Sequence, residues 1–161
     1  MQSKREIKYY SKLVRRPDLK FDHLPRFYGT VKTNLGDGFI VDLVRDYDAQ
    51  ISKPLNWYLA NGFSVEDLPP YLEDLKCFLL QHLIIFNYDM KSSNLLLQKP
   101  APEEARLVII DGIGDTVYIQ WFNVFSSHLE SKIRRRWERF IERLYASREV
   151  RAQLASGNVD N

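Results

Sequence analysis

The sequence predicts a mixed α+β fold, in which helices alternate with two β-hairpins along one chain. Three observations support this class. Apolar residues recur at helical spacing near both ends of the chain, two pairs of short β-rich runs flank turn residues, and a long apolar run lies between the two pairs. The predicted order is helix, hairpin, polar connection, helix, polar loop, hairpin, Asp-Gly loop and helix.

The first two predicted elements are a helix over residues 2–15 and a hairpin. The helix has one apolar face, formed by Ile7, Tyr10, Leu13 and Val14, and the prolines of the segment RRPDLKFDHLP end it. The hairpin pairs residues 27–32 with residues 38–44, because the segment NLGDG between them has the composition of a turn.

The later elements are a buried helix, a second hairpin and a C-terminal helix. Residues 64–86 are predicted to form the buried helix, because YLEDLKCFLLQHLIIF is apolar on nearly every side. The runs NLLL and RLVII predict the second hairpin. Residues 127–155 predict the last helix, whose apolar face comprises Leu129, Ile133, Trp137, Phe140, Ile141 and Leu144. Residues 156–161 are expected to be disordered.

The composition is that of a globular protein of one domain, with or without a small appendage. The chain has 161 residues, of which 45% are hydrophobic and 27% charged, and its net charge of +2 gives no support to nucleic-acid binding. The one cysteine, Cys77, cannot form an intramolecular disulfide and is expected to be a small buried hydrophobe in a reducing compartment. No apolar segment is long enough to span a membrane and MQSKREIKYY is unlike a signal peptide, so a cytoplasmic location is predicted.

The candidate chemistry lies in two loops that follow apolar elements. Asp89 and Asn94 lie on the loop NYDMKSSN, and Asp111 follows the strand LVII beside Gly112. Carboxylate and amide oxygens suit Mg²⁺, which also takes oxygen ligands from substrate phosphates. Asn94 and Asp111 are therefore the candidate metal ligands. Asp89 could orient or deprotonate an attacking hydroxyl, and Lys91 could place a positive charge near a transferring phosphoryl group.

The spacing Asp-x-Lys-x-x-Asn from Asp89 to Asn94 is that of the protein-kinase catalytic loop. The Asp after the second predicted hairpin fits the metal-binding Asp of the D-F-G motif. Two departures stand beside this match: Asn87-Tyr88 replaces His-Arg, and Gly112-Ile113 replaces Phe-Gly. Aminoglycoside-phosphotransferase-like enzymes use the same Asp, Asn and Asp, so the spacing does not imply a protein substrate.

Several of these residues also have structural interpretations. The residues of both loops could be ordinary turn formers. Glu6 is either the helix acid that pairs with a nucleotide-binding lysine, or the last residue of a capping box begun by Ser3. Asp115 is a second metal ligand or a surface acid. The arginines of RRRWER form either a solvated helix face or a contact for an acidic partner.

The three histidines show no zinc-ligand spacing. His82, within the predicted buried helix, is expected in the core. His23 and His128 are expected at the surface.

With these residues in place, the chain resembles the PhoP-regulatory-network protein YrbL family, a bacterial group with a protein-kinase-like fold. The resemblance covers residues 4–154 and is carried by KREIKYYSKL, LPRFYGTVKT, GDGFIVDLV, DMKSSNLLL, VIIDGIGD and RRRWERFI. It implies a small N-lobe of helix plus hairpin over residues 1–46 and a mainly helical C-lobe over residues 47–161. It also implies ATP and Mg²⁺ as cofactors, with Glu6, Asn94 and Asp111 on the nucleotide side.

One motif of a kinase-like domain is missing, since no G-x-G-x-x-G occurs in residues 1–161. Members of the resembled family carry such an N-terminal segment, so the chain is expected to be a shortened version with a truncated N-lobe and negligible phosphoryl transfer. The full-length form is expected to transfer phosphoryl groups. The alternatives are a non-catalytic pseudokinase-type module that binds nucleotide or a partner protein, and an interaction module whose contact face is the basic helix around residues 134–143.

Overall fold

The computed structural model describes residues 2–114, 126–147 and 150–153, and these residues form a mixed α+β fold, as predicted. The helices are α1 (Gln2–Leu13), α2 (Leu55–Ala60), α3 (Pro69–Gln81) and α4 (Ser126–Tyr145). The strands are β1 (Phe27–Thr33), β2 (Gly36–Val41), β3 (Lys53–Pro54), β4 (Leu95–Ala101) and β5 (Glu104–Ile109). Short 3-10 turns lie at Val65–Asp67 and Ser92–Asn94.

The first hairpin packs on α1. β1 and β2 pair in antiparallel fashion with Thr30 opposite Phe39, which confirms the predicted hairpin. The ring of Tyr10 on α1 stacks on Phe27 at 6.1 Å and on Phe39 at 6.2 Å between ring centroids. The apolar face predicted for α1 therefore meets one face of the hairpin.

The second hairpin lies within a three-stranded antiparallel sheet of order β3-β4-β5. Leu95 pairs with Ile109 and Leu97 pairs with Leu107, so the predicted pairing of the two apolar runs is confirmed. The short strand β3 pairs Lys53 with Leu97 and was not predicted, because its sequence lies within a polar connection. β4 and β5 also include residues that lie between the predicted runs NLLL and RLVII.

The prediction of one helix over residues 64–86 is wrong at both ends. Pro69 and Pro70 occupy the first turn of α3. Backbone N–H groups in the first turn have no hydrogen-bond partner within the helix, so proline, which lacks this group, is tolerated there and the helix begins at Pro69. It ends in a Schellman motif: the N–H of Ile84 donates to Leu79 O at 2.9 Å, and that of Leu83 to Leu80 O at 3.3 Å. Leu83 has a φ of 50°, a conformation that is usually adopted by glycine. The sequence therefore does not indicate that the helix ends here.

The core lies between α3, α4 and the three-stranded sheet. Its largest fully buried side chains include Phe86, Phe140, Leu24, Leu55, Leu68, Leu75, Leu79, Leu97 and Ile109. The predicted face of the last helix is confirmed by the burial of Ile133, Trp137, Phe140 and Leu144. The helix itself ends at Tyr145, earlier than predicted, and residues 150–153 are again helical. The predicted disorder of residues 156–161 lies outside the described residues.

The structure corrects two predictions about single side chains. Cys77 is exposed, because on α3 it lies on the solvent side of the stripe formed by the buried Leu75 and Phe78. His23 is buried, with Nδ1 2.7 Å from Leu107 O and its ring 4.8 Å from that of Phe78. The burial of His82 and the exposure of His128 are as predicted.

Within the parts of the chain that the structure describes, no helix combines the length and the apolar character needed to cross a membrane.

Candidate functional site

The loop that carries Asp89 and Lys91 is fixed to the core on both sides. Phe86, fully buried, forms a β-bridge with Ile113, and Asn87 N donates to Gly112 O at 2.6 Å. Met90 is buried as well. The side chains of Asp89 and Lys91 are exposed between these anchors, so the acid and the lysine face solvent from a braced loop.

The loop ends at Asn94, which lies against the start of the second loop. Ile110 N donates to Asn94 O at 3.0 Å, continuing the pairing of Leu95 with Ile109 by one residue on each strand. Asp111 is the next residue. The β4–β5 pairing therefore places the two predicted metal ligands, Asn94 and Asp111, at the same end of the sheet.

Gly112 shapes the turn at Asp111. Its φ is 83°, a conformation that residues with a Cβ rarely adopt, and its N–H donates to Asp111 Oδ1 at 2.6 Å. A Cβ at this position would lie 3.4 Å from Asn87 Nδ2. The glycine thus lets the Asp111 turn approach the loop of Asp89 closely.

Glu6 extends from α1 to the same turn. Its carboxyl group lies close enough to the Asp111 carboxyl group and to the Gly112 N–H to interact with both. Burial, followed by hydrogen bonding to Asp111 and the negative charge of Asp111, raises the pKa of Glu6 from 4.5 to about 7. The capping-box interpretation is wrong, because α1 begins at Gln2, so Ser3 lies inside the helix.

Two tyrosines of α1 complete this junction and were not predicted as site residues. Burial first, and then the charges of Glu6 and Asp111, raise the pKa of Tyr10. The hydroxyl of Tyr9 accepts a hydrogen bond from Ile85 N at 3.2 Å. The sequence analysis places Tyr10 alone on the predicted apolar face of this helix, and that face does not show what it packs against.

Arginines of α4 hold the loop before Asp89 from another side. Arg136 donates to Phe86 O, Arg139 to the Tyr88 hydroxyl and Arg143 to Tyr88 O. The guanidinium carbon of Arg139 lies 4.6 Å from the centroid of the Tyr88 ring. The predicted solvated face holds for the exposed Arg134 and Arg135, whereas Arg136 is half-buried against the loop.

The structure thus brings Glu6 to the Asp111 turn, places Asn94 at the same end of the sheet as Asp111, and leaves Asp89 and Lys91 exposed on the neighbouring loop. Asp115 lies outside the described residues. In residues 2–114, 126–147 and 150–153, no group of three or more His, Cys, Asp or Glu side chains is arranged to hold a metal ion.

Comparison with known proteins finds relatives in two organisms, and both relatives are called YrbL. Uncharacterized protein YrbL of Escherichia coli (strain K12) and uncharacterized protein YrbL of Shigella flexneri are each 32% identical over 142 residues. The match covers 86% of this chain and 66% of each relative, so the chain spans slightly less than two thirds of their length. Residues 1–145 match the family described as PhoP regulatory network protein YrbL, and the chain therefore belongs to that family.

Proposed function

We propose that the chain has a protein-kinase-like fold and supplies the metal-binding and acceptor-binding parts of an ATP- and Mg²⁺-dependent phosphotransferase. In this proposal residues 1–46 belong to the N-lobe and residues 47–161 to the C-lobe. Phosphoryl transfer belongs to the longer family members. Transfer by residues 1–161 alone is weak or absent, because no Gly-rich loop occurs among them.

The observation that carries the proposal is the hydrogen bond from Ile110 N to Asn94 O at 3.0 Å. It supports a shared metal site because it holds the loop that contains Asp89 against the turn that contains Asp111. Catalysis of phosphoryl transfer depends mainly on positioning and electrostatic stabilisation, so a fixed relation between these two loops is the first requirement.

Each residue then has one role in the reaction. Asp89, exposed beside the braced core, accepts the proton of the attacking hydroxyl. Lys91, on the same loop, faces the transferring phosphoryl group. Asn94 and Asp111 hold Mg²⁺, which when bound would neutralise charge on the phosphate oxygens.

The donor atoms fit this metal. Mg²⁺ takes oxygen ligands and retains several waters, and the junction offers an exposed carboxylate at Asp111 and a half-buried amide at Asn94. Glu6, whose pKa is about 7, interacts with Asp111. A cation at Asp111 would favour the deprotonated form of Glu6, as would the lysine that pairs with this helix acid in kinases.

One observation favours a second candidate, a non-catalytic pseudokinase-type module that binds nucleotide or a partner protein. Asn87-Tyr88 stands where the protein-kinase catalytic loop has His-Arg, and Glu6 interacts with Asp111. A module of this kind would bind ATP without transferring its phosphoryl group. Binding and transfer must therefore be measured separately.

The test is the thermal stability of the purified chain with ATP and Mg²⁺. Ligand at about 100 times its dissociation constant adds ~2.7 kcal/mol of stability. We expect a shift that requires Mg²⁺, is lost in Asp111→Asn and is retained in Glu103→Gln, a matched change in the turn between β4 and β5. A shift of equal size in Asp111→Asn would refute the metal site. A Mg²⁺-dependent shift without phosphoryl transfer in the longer protein would support the non-catalytic candidate.

A further inference from the structure

Two guanidinium groups of α4 contact Tyr88, the residue that precedes Asp89. Arg143 donates a hydrogen bond to the carbonyl oxygen of Tyr88, which belongs to the peptide linking Tyr88 to Asp89. Arg139 donates to the Tyr88 hydroxyl and lies over its ring. Tyr88 is 53% exposed, so a ligand in solvent can reach this cluster.

In the described part of the chain, neither Arg139 nor Arg143 forms an ion pair with a carboxylate, although Glu138 and Glu142 lie on the same helix. Asp89 forms none either. Lys91 adds a third exposed cation close by in the sequence. Like charges held close together repel each other, and a bound anion would remove that repulsion.

We propose that Arg139 and Arg143 bind the anionic group of the phosphoryl acceptor, and that this acceptor is a compact alcohol carrying a phosphate monoester. The planar guanidinium group matches the geometry of phosphate oxygens and can donate two hydrogen bonds to them. The acceptor role rests on the function proposed above. The anion site itself rests only on the two arginines and Tyr88.

The position of Arg143 next to Asp89 guides the choice of ligand. Arg143 contacts the carbonyl oxygen of the peptide bond that links Tyr88 to Asp89, so a compact ligand held there by its anionic group would have its hydroxyl group near Asp89. A small phosphorylated alcohol is a ligand of this kind. Asp89 would then meet the hydroxyl while Arg139 and Arg143 hold the phosphate.

Calorimetric titration with glycerol 3-phosphate and with glycerol tests the site, since both carry hydroxyl groups and only one carries a phosphate. We expect saturable binding of glycerol 3-phosphate, no binding of glycerol, and affinity about tenfold weaker in Arg139→Gln/Arg143→Gln, or ~1.4 kcal/mol. Arg134→Gln, the same change at an exposed position of α4, should bind like the wild type. Equal affinity in the double variant and the wild type would overturn the proposal.

A second variant covers the case in which the double variant loses its fold. Arg143→Lys retains the charge and loses the planar fork, so we expect binding between that of the wild type and the double variant. Unchanged affinity in this variant would overturn the role of the guanidinium group. Inorganic phosphate that bound as tightly as glycerol 3-phosphate would overturn the acceptor assignment.

These titrations use neither ATP nor Mg²⁺, which separates this inference from the proposed function. Binding of glycerol 3-phosphate without any ATP-dependent thermal shift would support the anion site and refute the phosphotransferase. An ATP-dependent shift without glycerol 3-phosphate binding would retain the phosphotransferase and refute the acceptor site.

Discussion

Replacing Gly114 by alanine should destabilise the junction between α1 and the Asp111 turn more than the same change at Gly62. Gly114 has a φ of 102°, and a Cβ there would lie 3.3 Å from Tyr9 Cγ and 3.4 Å from Tyr9 Cβ. Gly62 has a similar φ of 93° with nothing within 4 Å of the added atom. The pair therefore separates backbone strain, which both variants suffer, from crowding, which only Gly114→Ala suffers.

The magnitude follows from the contacts. A left-handed conformation costs alanine about 1–2 kcal/mol, partly offset by the lower entropy of its unfolded chain. Relief of the contact with Tyr9 would move Gly114 away from Ile85, whose carbonyl accepts from Gly114 N at 2.7 Å. Weakening that bond costs roughly 1 kcal/mol, and crowding in a packed region costs a further ~1 kcal/mol. Gly114→Ala should therefore lose at least ~1 kcal/mol more than Gly62→Ala.

Denaturation in urea, followed by circular dichroism, measures the difference. We expect a lower midpoint for Gly114→Ala than for Gly62→Ala, at unchanged slope. Equal losses in the free energy of unfolding would show that Tyr9 does not restrict the position of Gly114. That result would refute the interpretation that packing against α1 stabilises the Asp111 turn.

Two further changes test the site and the core. Because the pKa of Glu6 is raised from 4.5 to about 7, the folded state binds a proton more tightly than the unfolded chain, and the free energy of unfolding should fall as pH rises between those values. Glu6→Gln should remove this slope, so denaturation at several pH values should show the variant gaining stability relative to the wild type as pH rises. A constant difference between the two proteins would contradict the raised pKa of Glu6. Phe140→Ala should cost about 3–5 kcal/mol in the same assay, because Phe140 is fully buried beside Trp137. The control Glu142→Ala on the exposed face of α4 should stay within about 0.5 kcal/mol of the wild type, and a loss of that small size for Phe140→Ala would contradict the core packing.

Much of the fold could be predicted because it depends on local periodicity. The helical face of α1, the pairing of β1 with β2 and of β4 with β5, and the buried face of α4 each follow from apolar spacing or turn chemistry within one segment. Asp89, Asn94 and Asp111 were identifiable as candidate site residues for a related reason. Their spacing and their positions after apolar elements are properties of the sequence itself.

Contacts between distant segments were decided by tertiary structure alone. The end of α3 depends on Leu83, which adopts a conformation usually found at glycine. No glycine or proline at this position indicates the end of the helix in the sequence. His23 is buried because the ring of Phe78 and the carbonyl of Leu107 enclose it, although neither is near it in the sequence.

The same division holds at the candidate site. The sequence by itself determined which polar residues lie on the two loops, since their order and spacing are local. Only the folded chain brings Glu6 from α1 to Asp111, and Arg139 and Arg143 from α4 to Tyr88. The raised pKa of Glu6 and the contacts of both arginines with Tyr88 come from this packing, because desolvation and charge proximity depend on which segments pack together.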